Sequence, residues 1–205
     1  MTQGKYIVIE GNDGTGKSTQ VELLSTYLNS QGIETFVTHE PAGSPIADAI
    51  RTVIKNGDLE RDAETNLLLF TAARHDIWQN AKRALAEGKW VISARNYIST
   101  EVYQGYGEGL EIDRIHAITR EFTDDTYMKP DFTFVLHLTD EEREKRIAER
   151  GALETKDAFE SRGEDFQATL NDGYKQIAER YGFPLIDANQ SIDNIQAEIR
   201  SAIGN

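Results

Sequence analysis

The sequence predicts a three-layer α/β domain built on a mostly parallel, five-stranded sheet flanked by helices. Short strand-like segments alternate with longer helical patterns, and several of the short segments are continuously apolar, as buried parallel strands are. The order strand, helix, strand is typical of a parallel sheet with helices on both faces. A chain of 205 residues is long enough for one sizeable core. We therefore expect a single domain, residues 1–205, with at most a small lid.

The predicted elements follow one another in a regular order. The segments with the strand pattern are residues 6–10, 35–38, 90–93, 132–138 and 185–186. The segments with apolar residues at helical spacing are residues 19–30, 45–55, 64–87, 112–122, 140–150, 158–181 and 193–202. Residues 151–163 are polar and charged and follow a helical pattern, so they are a candidate mobile lid.

The composition disfavours several classes of protein. The formal net charge is −13, whereas a nucleic-acid backbone is met by a basic surface. The sequence contains no cysteine, which excludes disulfides, thiolate catalysis and thiolate metal sites. No apolar run approaches the roughly 18 residues of a membrane-spanning helix. We expect a cytoplasmic protein that has neither a nucleic-acid polymer nor a membrane as a partner.

The strongest chemical signal is a phosphate-binding motif after the first predicted strand. Residues 11–18 read GNDGTGKS and satisfy G-x-x-x-x-G-K-[ST] between a strand and a helix. Glycines allow backbone N–H groups to close around phosphate oxygens, and the following helix presents its positive end. Lys17 would neutralise the β and γ phosphates of ATP, and Ser18 would bind Mg²⁺. The alternative, a glycine-rich turn without a ligand, is disfavoured by the spacing and the setting.

This motif predicts the P-loop NTPase form of the α/β fold. The predicted ATP-binding residues are Gly11, Asn12, Asp13, Gly14, Thr15, Gly16, Lys17, Ser18 and Thr19. GTPases, ATPases, helicases and small-molecule kinases share such a loop. A compact chain, a mid-sequence cluster of arginines and a basic candidate lid favour a kinase for a small phosphorylated acceptor. The base-reading Asn-Lys-x-Asp of GTPases is absent from the sequence.

Five segments in order resemble the thymidylate kinase family. They are IEGNDGTGKSTQ at 9–20, HEPAG at 39–43 with Arg51, LFTAAR at 69–74, WVISAR at 90–95 with ST at 99–100 and YQG at 103–105, and PD at 130–131. Each segment alone is weak except the first, but together they span nearly the whole chain. The resemblance implies an ATP-dependent, Mg²⁺-requiring kinase that converts dTMP to dTDP for dTTP biosynthesis and forms a homodimer.

The resemblance also implies roles at the base and ribose of the acceptor. Phe70 would stack on the pyrimidine, although a helix-core aromatic is the plainer interpretation of that residue alone. Arg74 would reach the carbonyl edge of the base or the nearby phosphate. Thr100 and Gln104 would hydrogen-bond the base. Tyr103 would lie against the ribose where a 2′-hydroxyl would sit, unless it is a half-buried core tyrosine.

Further implied roles concern charge. Arg51 and Arg95 would bind the α-phosphate of the acceptor, with a solvated surface arginine as the alternative for each. Asp13 would help to hold Mg²⁺ or meet the 3′-hydroxyl, unless it only caps the helix. Glu40 would orient the arginines or the ribose. Lys17, Arg95 and Asp13 are thus predicted catalytic residues, and the candidate lid adds Arg150 as a fourth. None of the four histidines has metal-ligand spacing, and we interpret them as structural or solvent-facing.

The sequence departs from the family pattern at several positions. Ala94-Arg95 stands where Asp-Arg is usual, and Asp13 or Glu10 could supply the missing carboxylate. In residues 39–43, His39 and Ala42 replace the first arginine and the first glycine of the family's Arg-Glu-Pro-Gly-Gly. The P-loop also lacks the arginine that some members place there. These changes keep two alternatives open. One is a kinase for a 5-substituted dUMP, and the other is a catalytically weakened nucleotide-binding protein.

In the candidate lid, Ala158 stands where the family's Asp-Arg-x-Glu has its arginine, and Arg146, Arg150, Lys156 or Arg162 could replace that charge from a shifted position. A lid that closes over ATP needs a cation for the transferred group. We predict Arg150, which ends a helical pattern, for this role. Lys156 is expected to stay solvated, and Arg146 is expected to pair with Glu142 four residues earlier.

Overall fold

The computed structural model describes residues 4–151 and 157–204, with the side chain of Arg150 outside that description. Its centre is one parallel sheet with the strand order β2-β3-β1-β4-β5. The strands are β1 (Tyr6–Gly11), β2 (Thr35–His39), β3 (Trp90–Ala94), β4 (Phe132–His137) and β5 (Leu185–Asp187). All neighbouring strands pair in parallel, with Ile7 opposite Ile92 of β3 and Phe132 of β4. The predicted fold class is confirmed.

Helices connect the strands and cover both faces of the sheet. They are α1 (Lys17–Ser30), α2 (Pro45–Lys55), α3 (Ala63–Ala86), α4 (Tyr97–Thr100), a π-helix (Glu101–Gly107), α5 (Ile112–Phe122), α6 (Asp125–Met128), α7 (Asp140–Arg150), α8 (Glu164–Tyr181) and α9 (Ile192–Ile203). Within the described ranges, no helix is both long and apolar enough to cross a membrane.

Local signals place the start of α2 at the predicted residue. The Ser44 hydroxyl accepts a 3.1 Å hydrogen bond from the Ala47 N–H, and Pro45 occupies the first helical position. The bounds of α2, α5 and α7 agree with the sequence prediction.

The predicted helix over 158–181 is wrong at its beginning, because α8 starts at Glu164. Asp157 Oδ1 accepts hydrogen bonds from the N–H groups of Phe159 and Glu160, at 2.9 and 3.0 Å. A side chain that satisfies the backbone in this way stabilises a turn in competition with a helix. The helices α4 and α6 and the π-helix were not predicted either.

The core has two parts because both faces of the sheet are buried. Val8 and Val91 pack with residues of α3 and α8 on one face, and Ile7 and Ile92 pack with residues of α1 and α9 on the other. This explains why the central strands read as continuous apolar runs. The carboxyl ends of β1, β2 and β3 lie side by side, which brings the segments that follow them to one edge of the sheet.

Candidate active site

The phosphate-binding motif forms the turn between β1 and α1. Gly11 has a φ of 140° and Gly14 a φ of 88°, conformations that glycine adopts without strain. A Cβ on Gly11 would also lie 2.3 Å from the carbonyl oxygen of Leu136, so β1 and β4 can approach here only with glycine. Lys17 begins α1, and its Nζ donates a 2.8 Å hydrogen bond to the carbonyl oxygen of Asn12. The ammonium group is therefore held across the loop at the positive end of the helix.

The Lys17 ammonium is destabilised in the free protein. Burial lowers its pKa to about 7, and the Arg95 guanidinium acts in the same direction. The carboxylates of Asp13 and Glu10 oppose this shift. A bound polyanion would favour the charged form of Lys17, so the loop is suited to phosphate.

A cavity of about 290 Å³ opens beside the P-loop at the carboxyl edge of the sheet. It is lined by residues of the P-loop, α2, α3, the end of β3, α4 and the π-helix. The sequence-predicted residues that line it are Asp13, Gly14, Gly16, Lys17, Ser18, Thr19, Glu40, Arg51, Phe70, Arg74, Arg95, Thr100, Tyr103 and Gln104. Gly11, Asn12 and Thr15 are buried within the loop itself. One cavity thus brings together residues that are far apart in the sequence.

Arg74 is a buried cation at the centre of a polar cluster. It projects from α3 and is 1% exposed. Its Nε donates to Glu40 at 2.9 Å and to the Tyr127 hydroxyl at 2.8 Å, and its Nη2 donates to the Thr100 hydroxyl at 2.8 Å. Its Nη1 is buried and has no hydrogen-bond partner among the described residues. The cluster holds the guanidinium in place and leaves one donor group unused.

The π-helix presents two neighbouring side chains to the cavity. Tyr103 and Gln104 are consecutive, and both line it. The Nε2 of Gln104 donates a 3.1 Å hydrogen bond to Glu108, while its Oε1 is buried without a partner within residues 4–151 and 157–204. The Tyr103 hydroxyl donates to Asn12 Oδ1 at 3.3 Å. A π-helix is often found at a functional site, and here a residue that lines the cavity carries a buried acceptor without a partner.

Arg95 follows β3 in an uncommon backbone conformation. Its φ of 75° lies in the left-handed region, which costs energy for a residue with a Cβ. Its Nη2 lies 2.5 Å from Asp13 Oδ1, and its Nη1 donates to the hydroxyls of Ser99 and Tyr174 at 2.8 and 2.7 Å. Burial would raise the pKa of Asp13, but the charges of Arg95 and then Lys17 outweigh it and hold that pKa below its usual range.

The two candidate replacements for the carboxylate missing at Ala94 have different surroundings. Asp13 contacts Arg95, as described above. Glu10 is fully buried, and its Oε1 accepts from the N–H groups of Asn96 and Ser99 at 2.7 and 3.2 Å. Glu10 therefore holds the beginning of α4, and Asp13 is the carboxylate that neutralises Arg95.

The chain is similar to known proteins over nearly its whole length. The sequence model of the family described as thymidylate kinase matches residues 9–199. The chain belongs to this family. A thymidylate kinase from Exiguobacterium sibiricum is 38% identical over 96% of this chain and 92% of its own length. One from Rhodopseudomonas palustris is 39% identical over 98% of this chain and 89% of its own length. Full-length agreement with proteins of this name confirms the resemblance read from the five segments.

A solved structure supports the same assignment. The crystal structure of thymidylate kinase from Ehrlichia chaffeensis superposes with a TM-score of 0.75 and 26% sequence identity, and the match covers 98% of this chain and 99% of that one. The described sheet order and the P-loop therefore belong to an architecture already seen in the thymidylate kinase family.

The described part of the candidate lid contacts the cavity. Asp157 forms a 2.5 Å ion pair with Lys55, the last residue of α2. Phe159 is 5% exposed, and its ring centroid lies 5.9 Å from that of Phe70 and 5.6 Å from that of Tyr103. Residues 157–163 thus reach the Phe70 side of the cavity, where Lys55 and Phe159 are part of the lining.

Of the basic residues considered for the lid, the structure describes the side chain of Arg146 but not those of Arg150 and Lys156. Arg150 ends α7, but its side chain lies outside the described residues, as does the whole of Lys156. Arg146 pairs with Glu142 at 3.2 Å, as predicted, and its Nη2 also donates to the carbonyl oxygen of Ala188 at 2.9 Å.

Arg143 is a cation that the sequence did not single out. It lies in the first turn of α7 and is 5% exposed. Its Cγ would be 3.6 Å from a Cβ placed on Gly14, so its side chain packs against the P-loop. Its Nε is buried with no hydrogen-bond partner in the described part of the chain. Such a guanidinium is costly unless a ligand or water satisfies it.

The histidines have no common role in the described structure. His39 lies at the end of β2 and lines the cavity, where partial desolvation of its ring, with the charge of Arg51, lowers its pKa. His75 is exposed, and His116 contacts the buried Glu101. Among residues 4–151 and 157–204, no cluster of three or more His, Cys, Asp or Glu could hold a metal ion.

Sequence reasoning missed several residues of the site. Besides Lys55 and Phe159, Asn96 and Ser99 line the cavity, and Tyr127 donates to Glu40. Tyr127 lies in the unpredicted helix α6, and Phe159 lies in the segment that was predicted to be helical. Asp124 and Asp157 cap the backbone at these two places, but the side-chain contacts of Tyr127 and Phe159 are with distant parts of the chain, for which the local sequence carries no periodic signal.

Proposed function

We propose that this chain transfers the γ-phosphoryl group of ATP to dTMP, giving ADP and dTDP. The observation that carries the proposal is the unused hydrogen-bonding pattern of the cavity, which adjoins the P-loop. Membership of the thymidylate kinase family supports the same reaction.

The pattern suits a thymine edge. Arg74 Nη1 is an unused donor and Gln104 Oε1 an unused acceptor. Because the Thr100 hydroxyl accepts from Arg74, its own proton is available for donation. Thymine offers a carbonyl, an N3–H and a second carbonyl in that order. Cytosine replaces the O4 acceptor by an amino donor, so it would leave buried groups unpaired at this site.

The remaining contacts proposed for the nucleoside follow from the lining. Phe70 presents a half-buried ring beside the cavity, on which the base would stack. Tyr103 would lie against the deoxyribose, where its ring leaves little room for a 2′-hydroxyl. Glu40 uses its oxygens on Arg74 and Tyr127, so we assign it the orientation of Arg74.

Charge and position would drive the chemical step. An oxygen of the dTMP α-phosphate attacks the γ-phosphorus of ATP, the bond to the β,γ-bridging oxygen breaks, and ADP leaves. The acceptor phosphate is already anionic, so the protein needs no general base and acts through positioning and electrostatics. Lys17 would bind the β and γ phosphates, while Arg51 and Arg95 would bind the α-phosphate of dTMP. Asp13 holds Arg95 in place for this contact.

We propose Mg²⁺ as the metal that accompanies ATP. Ser18 and Asp13 line the same cavity as Lys17 and offer the hard oxygen ligands that Mg²⁺ prefers. Bound there, the metal would neutralise charge on the β and γ phosphates. Thr19 and the N–H groups of the P-loop would complete the ATP site.

For the lid, Arg150 remains our proposed cation, with Arg143 as a second candidate because its side chain packs on the P-loop and its Nε is buried without a partner among the described residues. An ATP-dependent kinase acts where ATP is supplied, and we propose a cytoplasmic location. We also propose a homodimer, which the exposed apolar residues of α2 and α3 support.

The test is a coupled ADP-release assay with ATP, Mg²⁺ and a panel of dTMP, 5-substituted dUMP, dUMP, dCMP and UMP. We expect dTMP to have the highest kcat/KM. If another 5-substituted dUMP has a higher kcat/KM than dTMP, that nucleotide is the preferred acceptor. Lys17→Ala should abolish transfer while the protein stays folded by circular dichroism. If wild-type protein binds ATP and dTMP but releases no ADP, the weakened nucleotide-binding alternative holds instead.

A further inference from the structure

We propose that Glu108 is a positioning residue that sets the amide orientation of Gln104 and thereby the preference for thymine over cytosine. This inference rests on the proposed function, since it concerns how the same cavity reads the base. Glu108 itself is not part of the lining of the cavity.

Glu108 receives hydrogen bonds from three separate parts of the chain. It follows the π-helix, and its side chain is 9% exposed. It accepts from Gln104 Nε2 at 3.1 Å, from Asn66 Nδ2 at 3.1 and 3.3 Å, and from Arg162 Nη1 at 2.7 Å. The carboxylate is therefore held in one position by α3, the π-helix and the end of the candidate lid.

An ionised carboxylate only accepts hydrogen bonds, whereas a primary amide has one end that donates and one that accepts. Glu108 therefore selects the orientation in which the NH₂ group of Gln104 faces it. The Oε1 of Gln104 is then the end left without a partner. That oxygen can accept a hydrogen bond from the N3–H of thymine. The N3 of cytosine is itself an acceptor, so it cannot hydrogen-bond this oxygen. A cation at position 108 would select the opposite orientation.

Arg162 forms an ion pair with Glu108. Glu108 therefore has two roles that can be separated: it stabilises the structure through this ion pair, and it orients the amide of Gln104. The Arg162 guanidinium also lies 3.5 Å from the ring centroid of Phe166, so it is supported by the beginning of α8. A charge-reversed pair at 108 and 162 would keep this ion pair while changing what Gln104 faces. Structural support and amide orientation can thus be tested independently.

The experiment compares kcat/KM for dTMP and dCMP in wild type, in the double variant Glu108→Arg/Arg162→Glu, and in Glu108→Gln. We expect the double variant to lower the dTMP/dCMP ratio by about 10-fold to 100-fold, mainly through a higher KM for dTMP. The KM for ATP should not change. In Glu108→Gln, whose side chain tolerates either orientation, the ratio should fall by a smaller factor.

Two controls complete the design. Glu64→Gln removes an exposed carboxylate paired with Arg114 and should leave the ratio unchanged. Arg162→Ala keeps Glu108 and should also preserve it. A folded double variant with the wild-type ratio overturns the inference, and so does a Glu108→Gln protein that loses only thermal stability.

A direct measurement keeps this test separate from that of the proposed function. In the free protein, the side-chain NH₂ resonances of Gln104 should shift in Glu108→Gln and stay unchanged in Glu64→Gln. Wild-type enzyme without a dTMP preference would contradict the proposed function. Unchanged Gln104 resonances in Glu108→Gln would contradict the role of Glu108 whatever the substrate.

Discussion

Phe70 shows how two interpretations of one aromatic residue can be separated at the residue scale. It is half-buried, lines the cavity and packs against Phe159, so it has both a free surface and a core contact. Phe70→Ala should weaken dTMP binding by about 1–3 kcal/mol, the usual contribution of stacking on one base. ATP binding should be nearly unaffected. Calorimetric titration of the folded variant with each nucleotide measures both quantities, and equal losses would indicate a core role only.

The lowered pKa of Lys17 predicts that the protein takes up a proton when it binds ATP. This pKa is about 7 in the free protein because of burial and the nearby Arg95, and a bound triphosphate should raise it. At pH 8 most free protein then carries a neutral Lys17, so ATP binding should take up a proton. At pH 6 the lysine is already charged, and the uptake attributable to it should disappear.

Titration calorimetry of ATP binding in buffers of different ionisation enthalpy measures this uptake. Lys145→Ala, which removes an exposed lysine of α7, is the matched control and should behave like wild type. If a variant with methionine at position 17 still binds ATP and takes up the same proton at pH 8, the proton does not go to Lys17.

At the scale of elements, we predict that α7 carries the cation that meets the phosphates of ATP. Arg150 ends this helix, and Arg143 in its first turn packs on Gly14. Arg150→Ala should lower kcat with little change in the KM for dTMP, the result expected for a contact made mainly in the transition state. Ala158→Arg should restore part of the loss in that background.

The matched variants are Arg143→Ala and Lys145→Ala, measured by single-turnover kinetics so that product release does not limit the rate. A normal kcat for Arg150→Ala together with a reduced one for Arg143→Ala would transfer the role to Arg143. A reduction in Lys145→Ala as well would point to the stability of α7 instead.

At the scale of the whole molecule, exposed apolar side chains mark a surface on two adjoining helices. Ile46 and Val53 of α2 and Leu68 of α3 are between 40% and 59% exposed, and these helices pack against each other. We predict that the homodimer forms through this surface, because burying such side chains favours association.

Leu68→Glu should convert the dimer to a monomer in light scattering over a range of protein concentrations. Ile192→Glu, which places the same charge at an exposed apolar position of α9, should remain dimeric. A wild-type chain that is monomeric at every concentration, or a Leu68→Glu dimer of unchanged affinity, would contradict this interface.

The sequence by itself determined the P-loop and most of the sheet. Continuous apolar runs, the spacing of residues 11–18, and Ser44 with Pro45 at the start of α2 are local signals, and local signals act through backbone hydrogen bonds and burial of neighbouring residues. The five separated segments predicted the family, and the parallel order of the strands then required their residues to meet at one edge.

Only the tertiary structure decided how the site is completed. Asp157 forms a turn instead of a helix where it pairs with Lys55, more than one hundred positions earlier. Glu108 follows Gln104 by four residues, and distant parts of the chain hold it there: Asn66 of α3 and Arg162 at the end of the candidate lid both donate to its carboxylate. Such contacts depend on which distant side chains are available to satisfy a buried charge or amide, and no periodicity within a segment encodes that choice.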